Sequence, residues 1–524
     1  MMLVFCFMVL TCITIFVLLV RRLFYWHSLG VQGPAIVVSD EKTKKIMKGP
    51  KSLPIIGSLH LLGGPEGPFD AFTKLSKEYG DIYEIQLGVA KCVVVSSYEL
   101  IMEVLIKKGD HFGGRPNFYR YHELFGGDRN NSLALCDWSD LQIKRRSLAR
   151  HYCSPKGGTI QIDELSKYGS FEANKLLSQL EQPKSQLILN GKESIKPLIL
   201  ASIGNMFMSY MCSKRYDFDD EKYIKLVRNY DEIFWDINQG YAVDFLPWLK
   251  PLYGKTMASL RNWSTEIRAF ILKEIINDRL AILNNKNDNS PQDLTNALLL
   301  HLTSDETELT WDHVLFELED FLGGHSAVGN LVMLILAYAA MLPDVQKKIQ
   351  DECKLIGTKK ERLNGLVTLD DRSDMPYTDA VIWETLRISS SPIVPHVTSL
   401  DTEINGYHIT KDTVVFINNY ELNLGEKYWG ENSKQFIPER FFQITNGNIR
   451  VVKPAYFLPF STGKRTCVGQ KLVQGFAFVI VTSLLTRYDI YPVDKNLKQE
   501  LRPACVAVPP DSFNLEFRLR NITN

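Results

Sequence analysis

The sequence has no excess of charge: 60 Lys and Arg stand against 60 Asp and Glu in 524 residues. No global field gathers nucleic acid, and that class of partner is set aside. There is no CxxC pair and no dense cysteine framework. The nine cysteines (Cys6, Cys12, Cys92, Cys136, Cys153, Cys212, Cys353, Cys467 and Cys505) are scattered and odd in number. This excludes a disulfide-built secreted domain and suits reducing surroundings with free thiols. Beyond Gly57 there is no internal repeat and no low-complexity tract, which excludes solenoids and propellers. An Arg/Ser-rich amphipathic leader is also missing, which argues against a mitochondrial address. What remains is 45% apolar, enough to bury a large core as one big domain or two to three ordinary ones.

One long uncharged run is present. Residues 1–20, MMLVFCFMVLTCITIFVLLV, are just long enough as a helix to cross a bilayer core of about 30 Å. They read as a transmembrane signal anchor. For a cleaved signal peptide the run is too long, no basic segment precedes it, and no small-residue cleavage site follows. Arg21, Arg22, Lys42, Lys44, Lys45 and Lys48 come next. By the positive-inside bias the rest of the chain is then cytoplasmic, and the sequons at Asn130, Asn262 and Asn521 stay unmodified. Residues 21–57 form a basic and Pro/Gly linker, and 58–524 a single body.

In that body helical patterns dominate, with short strand-like runs at Cys92-Val-Val-Val and Thr413-Val-Val-Phe. The expected fold class is mainly α with small β-sheets. Residues 285–291 (NKNDNSP) read as a surface loop. From 312 to 342 the chain is apolar on nearly every face, as in a helix through a large core. Glu317, Glu319, Asp320 and His325 interrupt it and argue against a second membrane span.

The most informative segment is Phe460-Ser461-Thr462-Gly463-Lys464-Arg465-Thr466-Cys467-Val468-Gly469-Gln470, a turn-rich loop entering the helical pattern LVQGFAFVIVTSLL. It puts Cys467 at a helix start, where the dipole, unpaired amides, Lys464 and Arg465 favour thiolate over thiol. A thiolate binds soft or borderline metals. Gly463 permits a turn closed to other residues, Gly469 leaves no side chain between the loop and a flat ligand, and Phe460 can pack over the sulfur. On the residues alone, metal ligand, nucleophile and structural thiol all stay open. The segment resembles, position for position, the F-x-x-G-x-R-x-C-x-G haem-binding signature of cytochromes P-450.

Other motifs follow the same family. Glu384-Thr385-Leu386-Arg387 and Phe436-Ile437-Pro438-Glu439-Arg440-Phe441 resemble its E-x-x-R and P-x-R-F elements. The resemblance makes Glu384, Arg387 and Arg440 a buried ion network that locks the cysteine loop. Ser391-Pro392-Ile393-Val394-Pro395-His396 resembles the strand entry where an Arg or His meets a haem propionate, and Arg465 is placed as a second propionate contact. The family's Trp-x-x-x-Arg is broken, because Gln142 stands four residues after Trp138. Arg145 and Arg146 lie one turn farther on, leaving Trp138 and Arg146 as propionate partners.

The resemblance implies the triangular P-450 fold, haem b with Cys467 as axial iron ligand, and NADPH electrons from NADPH-cytochrome P-450 reductase. It also implies dioxygen as co-substrate and an endoplasmic reticulum membrane setting with a cytoplasmic catalytic domain. Lys464 is a candidate docking charge for the reductase. The apolar run Phe245-Leu246-Pro247-Trp248-Leu249 lies either against lipid or in the core, and residues 117–135 help shape the pocket.

Gly323-Gly324-His325-Ser326-Ala327-Val328 aligns with the family's A/G-G-x-D/E-T-T/S oxygen-activating segment, but Ser326 replaces the acid and Ala327 the threonine. Proton delivery needs a group within hydrogen-bond reach. Gly324, His325 and Ser326 are therefore the oxygen-side candidates, alongside water or substrate. The longer run GGHSAVGN resembles the Spook type of insect Halloween-group cytochromes P-450. It implies a sterol substrate and a step between 7-dehydrocholesterol and ketodiol in ecdysteroid synthesis. Two rivals stand beside this monooxygenase: a haem-thiolate isomerase or dehydratase needing no dioxygen, and a non-catalytic haem- and sterol-binding protein.

Overall fold

The computed structural model describes residues 45–520, apart from 64–66, 156–158, 284–292, 303–308, 363–366, 495–496, 498–500, 502–504 and 510–512. The expected anchor at 1–20 and the loop at 285–291 lie outside the described residues. Eight helices carry the argument: α1 (Tyr119–Leu124), α2 (Asp140–Cys153), α3 (Lys196–Cys212), α4 (Glu221–Ile237), α5 (Gly254–Phe270), α6 (Trp311–Met341), α7 (Pro376–Ser389) and α8 (Gln470–Arg487). Both expected strands form. They lie in a four-stranded sheet of β1 (Ile82–Leu87), β2 (Ala90–Val95), β3 (His396–Val397) and β4 (Val414–Ile417), in the order β1-β2-β4-β3.

β1 and β2 are antiparallel neighbours, β2 runs parallel to β4, and His396 of β3 pairs with Val415. Three valines end β2 and Val-Val-Phe-Ile makes β4, and both are buried along most of their length, as suits a covered sheet. The Pro/Gly segment before the body docks on β1. Leu53 pairs with Gly57, and Gly57 with Leu87. Gly57 sits at φ +61, and a Cβ there would come 2.3 Å from the Gln86 carbonyl oxygen, so only glycine permits the approach.

α6 starts at Thr310, whose hydroxyl accepts the His313 N–H, and runs for 31 residues. It packs against α3, α4 and α8 and is buried along most of its length, so it is a core helix although apolar enough to cross a membrane. The acids that interrupt it each meet a neighbouring element. Glu317 pairs with Arg145 of α2 at 3.0 Å and Glu319 with Arg268 of α5 at 3.2 Å. Asp320 accepts from Ser132 Oγ at 2.9 Å and the Leu133 N–H at 2.6 Å.

On α7, Glu384 and Arg387 are fully buried and joined by two hydrogen bonds of 2.7 Å. Arg387 also donates to the carbonyls of Asn423, Ser433 and Gln435, while Arg440 reaches Glu384 at 3.0 Å. The Trp429 ring covers both guanidinium groups. A buried charge network is stable only when each member is satisfied. Glu384→Gln leaves Arg387 and Arg440 without their shared carboxylate. The expected loss is about 3–5 kcal/mol in denaturant unfolding; a loss below about 1 kcal/mol would show that the carbonyls alone hold the arginines.

Candidate active site

Cys467 lies three residues before α8, in a loop closed by its own backbone: the Cys467 N–H donates to the Phe460 carbonyl at 2.9 Å. Gly463 makes the turn at φ +71, where a Cβ would stand 2.2 Å from the Leu105 carbonyl oxygen. A Cβ on Gly469 meets nothing within 4 Å, so this residue borders open space. The Phe460 ring packs edge-on against Trp383 of α7, 6.2 Å between centroids, linking the loop to the helix of the ion network.

The Cys467 side chain keeps surface accessibility although it lies deep in the fold, so it faces an interior cavity. Burial pushes its thiol up, and the Gly469 amide, Arg146 and the Gln470 amide pull the other way. The expectation that Lys464 and Arg465 hold the thiolate is corrected. Lys464 pairs with Asp110 and sits over the Trp138 ring, and Arg465 turns to the carbonyls of Gly113 and Cys136.

Around the loop the chain gathers cations with few anions. Arg146 Nη2 donates to the Thr466 carbonyl, and Trp138 stacks on Arg465 at 5.2 Å. Arg145, one residue earlier and about 100° around α2, goes to Glu317 instead, so of the two arginines Arg146 reaches the loop. Gln142 does not replace the absent arginine; its Nε2 donates to the Leu133 carbonyl at 2.5 Å.

A further member escaped the sequence reading. Arg115 donates to the carbonyls of Ala134, Val394 and Pro395, and Gly114 is bridged to Val397 of β3. The signal was there in Gly113-Gly114-Arg115. A Cβ on Gly113 would meet Trp138 at 2.6 Å and one on Gly114 the Val397 carbonyl oxygen at 2.9 Å, so both glycines allow the arginine this close. Burial first, and then Arg465, bring Arg115 down to about 9 and Arg146 to about 10.

His396 lies beside them, its Nδ1 2.7 Å from the Phe112 carbonyl oxygen, which makes that nitrogen the N–H donor. Burial, then Arg115, hold its pKa well below the usual range. Its Nε2, Arg146 Nε, and Nε and Nη1 of Arg465 are buried without a hydrogen-bond partner among the described residues. The three arginine nitrogens are unpartnered donors in a buried cationic cluster, and they call for an anion. A flat ligand carrying carboxylates fits that demand. Among the described residues no group of three His, Cys, Asp or Glu stands ready for a bare metal ion, so a metal bound by Cys467 brings its other ligands with it.

On α6, His325 stands edge-on to Tyr230 of α4 at 5.2 Å, and its Nδ1 meets the Leu322 carbonyl at 2.6 Å. Burial lowers its pKa to about 4, so it is neutral at pH 7. Ser326 is fully buried and its Oγ has no partner among the described residues. The accessible positions here are Gly323, Gly324 and Ala327. Neither polar candidate stands on the accessible side; both belong to the packing behind it.

The cytochrome P450 family model matches residues 47–517. The chain belongs to the cytochrome P450 family. It is 46% identical over 487 residues to cytochrome P450 307a1 of Drosophila melanogaster, covering 89% of this chain and 88% of the relative. It is 30% identical to cytochrome P450 1A1 of Chelon auratus over 462 residues, 85% of each chain, and 30% to that of Oryzias latipes over 457 residues, 84% of each. The resemblance to the Spook type read from GGHSAVGN is borne out by the fly relative.

Membership makes the chain a P450 monooxygenase that uses a haem-thiolate cofactor and a redox partner. The haem supplies the electron and dioxygen chemistry when bound. Cys467 is the residue matching the family's ligand, and Arg115, Arg146, Arg465 and His396 are the groups that would hold the carboxylates of a bound haem. In its present tautomer His396 offers Nε2 as an acceptor. A carboxylate beside it therefore needs a shared proton.

Burial also shapes how stability varies with pH. Glu317 is pushed up to about 7 and Glu319 to about 8, with Arg145 and Arg268 opposing. Both values exceed the 4.5 of an unfolded glutamate, so the folded chain holds protons that the unfolded chain releases. The contribution of these two glutamates therefore declines as pH rises from about 5 to about 8, while the buried His325 and His396 act with the opposite sign below about 6.5. Glu319→Gln is expected to flatten the upper part of that decline in denaturant-unfolding midpoints; an unchanged slope would show that Glu319 does not carry it.

Proposed function

We propose that this chain is the monooxygenase of a sterol step in ecdysteroid synthesis, between 7-dehydrocholesterol and ketodiol. Haem b is ligated by Cys467, and NADPH electrons arrive through NADPH-cytochrome P-450 reductase. The observation that carries the reading is the Gly323 to Asn330 run, in a chain 46% identical to fly cytochrome P450 307a1 across nearly its whole length. In this reading Arg465, Arg146, Arg115 and His396 hold the haem carboxylates, Trp138 backs Arg465, and Glu384, Arg387 and Arg440 keep the loop in place. Lys464, already engaged with Asp110, has less to offer the reductase than a free surface lysine.

Residues 1–20 anchor the chain in the endoplasmic reticulum, with residues 58–524 as the cytoplasmic catalytic domain. Exposed apolar residues support this setting. Trp248 is 59% exposed, Leu252 79%, Val89 68% and Ile55 64%. Hydrogen bonds from Val89 N–H to the Phe245 carbonyl and from Gly88 N–H to the Ile56 carbonyl make the three segments neighbours. Phe245 and Leu246 turn inward while Trp248 faces out, which leaves Trp248 as the residue of the run available to lipid in this reading.

One observation favours a second reading, an isomerase or dehydratase. Ser326 and His325 are buried behind the accessible face, and Ala327 has no hydroxyl, so the usual proton relay is missing there. Labelled dioxygen separates the two. With reductase, NADPH and 7-dehydrocholesterol, the expected result is product carrying one labelled oxygen, read by mass spectrometry. Unlabelled product formed without NADPH would establish the second reading in its place.

A further inference from the structure

Of the four acids on the first half of α6, Asp312 is exposed, two of the others are ion-paired, and Asp320 has no ion pair among the described residues. Glu317 and Glu319 hold Arg145 and Arg268. Asp320 accepts from Ser132 Oγ and the Leu133 N–H on Oδ2, with the Ala134 N–H close by and Arg145 attracting it at longer range. Among the described residues Oδ1 has no hydrogen bond as close as those on Oδ2, and the side chain keeps part of its surface accessible. The residue keeps partial accessibility although it lies deep in the fold. It therefore faces interior space, as Cys467 does.

Two observations indicate which space. The first is the loop that Asp320 holds. From Leu133, bonded to Asp320, three residues lead to Cys136, whose carbonyl accepts from Arg465 at 2.7 Å; between them Ala134 gives its carbonyl to Arg115. Ala134 is exposed and Leu135 half-exposed in this otherwise interior stretch. Three extended residues reach at most about 10 Å, so the loop places Asp320 within about that distance of the cationic cluster. The second is helix geometry. Asp320, Gly323, Gly324 and Ala327 fall at i, i+3, i+4 and i+7, a single face. They keep partial accessibility where Phe321, Leu322, His325 and Ser326 are buried, although a Cβ on Gly323 would meet the Tyr230 ring at 3.2 Å and one on Gly324 the Phe207 ring at 3.2 Å, so the exposed surface there is mainly backbone. Asp320 is the only polar side chain of the four.

We propose that Asp320 Oδ1 accepts the hydroxyl hydrogen of the sterol's A-ring alcohol and so sets which way round the substrate lies along α6. The inference rests on the sterol reading above. From Asp320 to Ala327 the helix rises roughly 10 Å at 1.5 Å per residue, about the length of a fused tetracyclic nucleus. A substrate tethered at Asp320 thus brings its far rings to Ala327, where the family's threonine would stand. A carboxylate is the strongest acceptor for a lone alcohol. A site built to take a hydroxyl discriminates against the analogue lacking it, because the polar group is then left unpaired.

The test uses the haem-loaded full-length chain, titrated with 7-dehydrocholesterol and with its 3-deoxy analogue and read by the shift of the haem absorption band on binding. The deoxy compound is expected to bind at least about tenfold more weakly to the wild type, and the two sterols to bind alike in Asp320→Leu. If that variant fails to load haem, Asp320→Asn keeps the side-chain shape and is expected to narrow the ratio. Equal binding of both sterols to the wild type overturns the anchor and leaves the sterol reading standing, as does an undiminished ratio in the variants. No band shift with either sterol overturns the sterol reading itself, and the anchor with it.

Discussion

The structure is organised around a concentration of buried positive charge that the chain does not neutralise. Arg115, Arg146 and Arg465 meet beside the Cys467 loop, each lowered by burial. Asp137 is the nearest carboxylate named there, already shared between Arg129 and the Arg115 amide. Like charges in a low-dielectric interior cost several kcal/mol apiece unless an anion answers them. The surrounding architecture holds them regardless: the Gly113-Gly114 approach, the β3 edge, the Trp138 platform and the carbonyls of residues 134–136. A fold that tolerates such a cluster is one whose stability is coupled to an anionic ligand, and a haem with two carboxylates is the anion that belongs to this family.

Much of this was legible in the sequence because it is local. The cysteine loop, Gly463 and the Glu384/Arg387 pair are written in contiguous residues, and their geometry follows from turn and helix spacing. The strand runs at Cys92 and Thr413 were legible from β-branched residues, although their parallel pairing was not. Arg115 stayed hidden because its role depends on contacts with residues nearly 300 positions away, Val394 and Pro395. The charge state around Cys467 was misread for a similar reason. Sequence proximity placed Lys464 and Arg465 beside the sulfur, whereas the folded loop sends one to Asp110 and the other to two backbone carbonyls.

α6 shows how one helix serves opposite demands. Its buried side is ordinary core, and polar residues there are tied to neighbours: Asn330 bonds Asp231 and the Ser326 carbonyl, and accepts the Val508 N–H. Its accessible side is nearly bare, with two glycines, an alanine and a single carboxyl. Loss of the family's acid and threonine therefore leaves a smooth wall, with His325 and Ser326 turned into the packing. No side chain on this face offers a hydroxyl or acid at the position of the family's threonine.

The most direct measurement is the absorption spectrum of the reduced protein under carbon monoxide, taken on the wild type and on Cys467→Ser. The expected result is the strongly red-shifted haem band of thiolate ligation in the wild type, lost in the variant. A wild-type band of the histidine-ligated kind, or an unchanged band in Cys467→Ser, would contradict the assignment of Cys467 as the iron ligand.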